Sequence, residues 1–159
     1  MRNSKPLGPH LLAATLLIGT ALPGFAATTA DGYLSFKFSP ETPYYFEDGK
    51  VDFGTYNGFR RYHSECHVCH GPAGLGSSYA PALMKSMQVL TFNQFVDVVI
   101  HGRTGLDERV MPSFASNMNV LPYISDIYAY LKARADGVIG TARPDKFPKV
   151  TKNAQAATN

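Results

Sequence analysis

Three stretches of the chain place apolar residues at helical spacing. Tyr56, Phe59 and Tyr62 fall near one face with Cys66 and Cys69, which predicts a helix from Thr55 to His70. Phe92, Phe95, Val96, Val99 and Ile100 predict a second, preceded by Thr91-x-x-Gln94 as a capping box and followed by Gly102 as a terminator. Ile124, Ile127, Tyr128 and Leu131 occupy i, i+3, i+4 and i+7 of a last helix. Pro122 opens it, Lys132 and Arg134 lie near its end where the helix dipole favours cations, and Gly137 follows its stop.

Between and before these stretches the period changes. Leu34, Phe36 and Phe38 alternate with polar neighbours, and Asp48-Gly49 between apolar residues predicts a short hairpin. Residues 32–54 also carry Tyr33, Tyr44, Tyr45, Phe46 and Phe53, so this segment is expected to bury its rings on the helices; a docking surface is the competing reading. Gly71-Pro72-Ala73-Gly74-Leu75-Gly76 predicts a loop, because three glycines and a proline do not continue a helix. It follows no strand as G-x-G-x-x-G and lacks a terminal lysine and hydroxyl, so it is not a phosphate cradle.

Length and charge narrow the class. A chain of 159 residues, 45% apolar and 17% charged, allows one modest globular domain. Arg2 and Lys5, the apolar run Leu11 to Leu22, and Pro23-Gly24-Phe25-Ala26 follow the order of an export signal with cleavage after Ala26. That run falls short of the roughly 20 residues a membrane span needs, so no stable membrane anchor is expected after cleavage. Cleavage would remove two of the 15 Lys and Arg residues and none of the 12 Asp and Glu residues, lowering the formal net charge from +3 to +1. Nothing in that balance suggests nucleic acid.

The chemistry is concentrated in Cys66-His67-Val68-Cys69-His70, the C-x-x-C-H pattern of covalent haem attachment. Two thiols three positions apart can each bond one vinyl group, and the imidazole that follows is held beneath the iron as proximal ligand. The chain has only these two cysteines, so a four-thiolate zinc site is excluded, and a redox dithiol would leave His70 unexplained. Haem is attached to such thiols outside the bacterial cytoplasm, so the export signal and the motif support each other. Pro81, eleven positions after His70, offers a carbonyl that can orient the imidazole, or is an ordinary turn proline. For the sixth ligand Met111, followed by Pro112, is the first candidate, a soft thioether in the polar loop from Arg103 to Asn119. Met118 and His101 are the alternatives. Arg60, Arg61 and Arg103 are candidates to pair with a haem propionate.

Together, Gly58, Tyr62, Cys66 to Gly71, Pro81, Met111-Pro112 and Ala129-Tyr130-Leu131 resemble the class I c-type cytochromes over about residues 55 to 135. The resemblance implies an all-α fold around one covalently bound haem c, with His70 and Met111 as axial ligands and Pro81 receiving the His70 proton. It also implies that the first and last helices cross at Gly58, Tyr62 and Tyr130. Residues 1–26 are then the signal peptide, 27–54 an extended aromatic N-terminal arm, 55–137 the cytochrome domain and 138–159 a basic, partly mobile tail. The run Thr55 to Glu65, with Gly76 to Leu83 and Asp126 to Arg134, is similar to the cytochromes of methanol metabolism. That similarity implies a periplasmic electron carrier rather than an enzyme, with a quinoprotein alcohol dehydrogenase as donor and an oxidase or another cytochrome as acceptor. A fixed oxidase subunit, or a haem enzyme or gas sensor with an open distal site, is the alternative.

Overall fold

The computed structural model describes residues 25–105 and 110–149. Most of the predicted export signal, and Lys152 of the basic tail, lie outside them. In chain order the strands and helices are β1 (Phe25–Thr28), β2 (Leu34–Phe36), β3 (Phe46–Glu47), β4 (Lys50–Val51), α1 (Phe53–Glu65), α2 (His67–His70), α3 (Met84–Val89), α4 (Phe92–His101), β5 (Arg103–Thr104), β6 (Val110–Met111), α5 (Ile124–Ala135) and β7 (Asp145–Lys146).

Helix α1 begins two residues earlier than the apolar period predicts, because Asp52 caps it. The buried Asp52 carboxylate accepts from the Thr55 amide at 3.2 Å and hydroxyl at 2.5 Å, and from the Tyr45 amide at 3.1 Å. One carboxylate thus starts the helix and fastens the preceding segment to it. The expected capping box of α4 is present, with Thr91 and Gln94 satisfying each other's backbone amides. Pro122 lies in a 3-10 turn over Leu121–Tyr123, and α5 starts behind it.

Helices α1 and α5 form the centre of the fold. A side chain at Gly58 would run into the Asp126 carbonyl, so the crossing exists only because position 58 has no Cβ. Tyr62, Tyr130 and Leu131 are fully buried beside it, with the Tyr62 and Tyr130 rings 5.6 Å apart. Asn57 donates across the crossing to Asp126 at 2.8 Å.

The all-α expectation is corrected to mostly helical, since among the described residues three small sheets accompany the helices. β1 pairs with β2, β5 with β6, and β3-β4-β7 form a sheet in which Lys50 and Val51 run parallel to Asp145 and Lys146. Two-residue strands carry no readable period; backbone hydrogen bonds define them. Asp48 (φ 48°) and Gly49 (φ 77°) make the turn between β3 and β4, both in the left-handed region that a two-residue hairpin requires.

Two of the aromatic residues ahead of α1, Phe38 and Tyr33, pack onto the helices. Phe38 contacts Phe92 at 4.9 Å and Tyr128 at 6.4 Å, and Tyr33 stacks on Phe53 at 4.8 Å. From Arg143 to Lys149 the chain is also anchored, by β7 and by a bridge between Tyr33 and Lys149. Among the described residues no helix is long and apolar enough to cross a membrane.

Candidate functional site

The motif cysteines sit where α1 gives way to α2. Cys66, at the joint, still donates its amide to Tyr62 at 2.9 Å and accepts from His70 at 3.0 Å, so Cys66 to His70 add one more turn of helical bonding. After His70 the chain reverses under several bonds. Tyr62 donates its hydroxyl to the Gly71 carbonyl at 2.6 Å, Gly76 its amide to the His70 carbonyl at 2.7 Å, and Ser77 its hydroxyl to the Cys69 carbonyl. These bonds bring Pro81 back over the imidazole, whose Nδ1 lies 3.0 Å from the Pro81 carbonyl. A carbonyl can only accept, so Nδ1 carries the proton, and the neutral ring keeps a lone pair on Nε2.

Met111 reaches the same cleft from a different element. It lies in β6, with Arg103 of β5 as its pairing partner. The following turn is tied to α4, where Ser113 donates to the Ile100 carbonyl at 2.5 Å and Phe114 to the Val99 carbonyl at 3.0 Å.

Cys66, His70 and Met111 line one cleft. Its other walls are apolar, including Met87, Phe95, Val99 and Leu131. The lining suits a flat apolar macrocycle bonded through thiols and imidazole. Burial, with smaller contributions from Glu65 and Cys69, pushes the Cys66 thiol up to about 12. Cys69 is exposed beside it. Among the described residues no three His, Cys, Asp or Glu side chains converge on a bare metal ion.

The other candidates lie elsewhere. Met118 is 71% exposed and outside the cleft lining. His101, also outside it, sets its Nδ1 against the Asp97 carbonyl and carboxylate at 3.2 and 3.0 Å. Arg60 and Arg61 line a separate polar hollow with Ser64, Glu65 and Asn119, and Arg61 covers the Tyr123 ring at 3.7 Å. Arg103 is exposed in β5.

Sequence reasoning missed α3, which with its flanks gives Leu83, Ser86, Met87 and Leu90 to the cleft. Leu83, Met87 and Leu90 are spaced as one helical face, but six residues make too short a window for that period to stand out.

The chain aligns with cytochrome c-553I of Paracoccus denitrificans at 48% identity over 103 residues, 63% of this chain and 46% of that protein. It thus spans about half the length of that relative. Cytochrome c-555 of Methylococcus capsulatus is 40% identical over 97 residues, 60% of this chain and 75% of that one. The crystal structure of c-type cytochrome XoxG from Methylobacterium extorquens AM1 superposes with a TM-score of 0.64 at 42% identity, covering 84% of this chain and 83% of that one. This chain belongs to the c-type cytochromes. No protein-family model matches it. Its relatives are electron carriers, and covalent haem c is the cofactor that membership in the c-type cytochromes implies.

Proposed function

We propose that this c-type cytochrome carries single electrons in the periplasm from a quinoprotein methanol or alcohol dehydrogenase to a terminal oxidase or a second cytochrome. Cys66 and Cys69 would hold haem c covalently, and His70 and Met111 would bind its iron. The observation that carries this reading is the shared cleft, in which side chains 41 positions apart in sequence, His70 and Met111, face one apolar space with Cys66. Bound haem c supplies the one-electron chemistry. The residues do the rest: the Pro81 carbonyl fixes the tautomer of His70, the thioether of Met111 offers a soft donor, and the apolar walls exclude water. With His70 and Met111 both bound to the iron, no open position would remain for a substrate, as a carrier requires. The donor assignment is supported by the similarity to XoxG and to cytochromes of methylotrophic bacteria.

Two measurements test this. The reduced protein should bind carbon monoxide slowly or not at all near neutral pH; rapid binding would make the site an open one. In stopped-flow mixing, a quinoprotein dehydrogenase with its alcohol should reduce the ferric protein faster than the alcohol alone, less so as salt rises. Failure with every such pair, together with stoichiometric copurification of an oxidase, would make the chain a fixed oxidase subunit instead.

A further inference from the structure

His63 and His67 lie one turn apart on either side of the joint at Cys66, and neither lines the haem cleft. Each sets its Nδ1 against the backbone carbonyl four residues earlier, His63 on Phe59 at 2.8 Å and His67 on His63 at 3.1 Å. A carbonyl cannot donate, so both Nδ1 atoms carry protons and both neutral rings present a bare Nε2 lone pair. Metal-binding histidines are commonly oriented in this way, the remote N–H held by a carbonyl while the other nitrogen coordinates. The rings are 25° from parallel with centroids 5.6 Å apart. Two imidazoles bound to one ion at about 2.1 Å would have centroids roughly 4.5 to 5.2 Å apart with their lone pairs converging, so binding needs a rotation of His67. His67 is exposed and free to make it, while His63 is braced against Phe59 at 4.2 Å and Tyr130 at 6.0 Å.

We infer that His63 and His67 form a surface site for a borderline divalent transition ion, Cu²⁺ or Zn²⁺, with water completing the coordination. Two neutral imidazoles suit this class better than Mg²⁺ or Ca²⁺, which prefer oxygen donors. His67 stands between the two motif cysteines, so an ion there adds positive charge at the surface of the haem-attachment segment.

The test is titration of the oxidised holoprotein with Cu²⁺, followed by calorimetry and by the nitrogen splitting in the Cu²⁺ resonance spectrum. One equivalent should bind with two equivalent nitrogen donors. His67→Gln, at an exposed position, should weaken binding at least tenfold and leave one nitrogen donor; His63→Gln should do the same, and His101→Gln should change nothing. Zn²⁺ should displace the Cu²⁺ signal. Unchanged affinity and splitting in His67→Gln, or loss of binding in His101→Gln, would overturn the inference. The resonance spectrum reads the site directly, so a failed donor assignment for electron transfer would not alter the result.

Discussion

On one side of the cleft, α1 and α5 cross backbone against backbone at Gly58 and Asp126, over tyrosines with no exposure to solvent. Met111, by contrast, rides on a two-residue strand. The first side presents His70 from a framework determined by packing. The second brings Met111 on backbone hydrogen bonds and a few partly buried contacts, with Met111 and Phe114 packed on the margin of the core. If His70 and Met111 both bind the iron, as proposed, the two supports would hold them unequally.

The largest effect should come from filling the crossing. Gly58→Ala forces a methyl group into the Asp126 carbonyl, which backbone cannot relieve by a rotamer change. We expect a loss on the order of 3 kcal/mol in denaturant unfolding, at or beyond the upper range for overpacking. A loss under about 1 kcal/mol would mean that the helices can slide apart cheaply. The lightly supported side is broken differently: Met111→Ala should abolish the weak far-red absorption of methionine-bound ferric haem and lower the reduction potential by on the order of 100 mV, with little change in stability. Met118→Ala should change neither property. If the two variants exchange phenotypes, Met118 is the ligand.

A third test sharpens the crossing electrostatically. Burial, reinforced by the nearby Asp52 carboxylate and opposed by the Asn57 hydrogen bond and Arg61, raises Asp126 from 3.8 to about 6. Between those values the native state holds a proton that the unfolded chain has released, so stability falls as pH rises through that window. Relative to Asp126→Asn, the wild type should therefore lose roughly 2 kcal/mol between pH 4 and pH 7. A pH-independent difference between the two proteins would refute the raised value. The smallest contrast compares two hydroxyls. Tyr62→Phe removes a buried bond to the Gly71 carbonyl and should cost about 1 kcal/mol. Tyr130→Phe removes a buried hydroxyl that has no hydrogen-bond partner among the described residues, while Arg134 spends donors on the Ala73 and Ile139 carbonyls; it should be neutral or slightly stabilising in thermal melts.

Sequence showed most clearly what rests on side-chain type. The motif, the capping box and Gly58 are recognisable because each job admits few residues: a thiol, a hydroxyl with an amide, no side chain at all. Pro81 was identifiable as an acceptor because proline offers a carbonyl and no N–H, but the 3.0 Å approach depends on bonds from Tyr62, Gly76 and Ser77 that no spacing announces. The β5–β6 pair, β7 and α3 escaped for a related reason. Their register is held by backbone groups every residue shares, or by an apolar face too short to establish a period.

The bond between Asn57 and Asp126 joins residues 69 positions apart, and Cys66, Cys69, His70, Pro81 and Met111 all fall between them. Closing a loop of that length costs about 4 kcal/mol of chain entropy before the enclosed contacts repay any of it. In folding, then, the residues of the cleft are assembled and dispersed as one unit, and a chain that has not yet joined α1 to α5 holds the haem motif on a helix with no opposite wall.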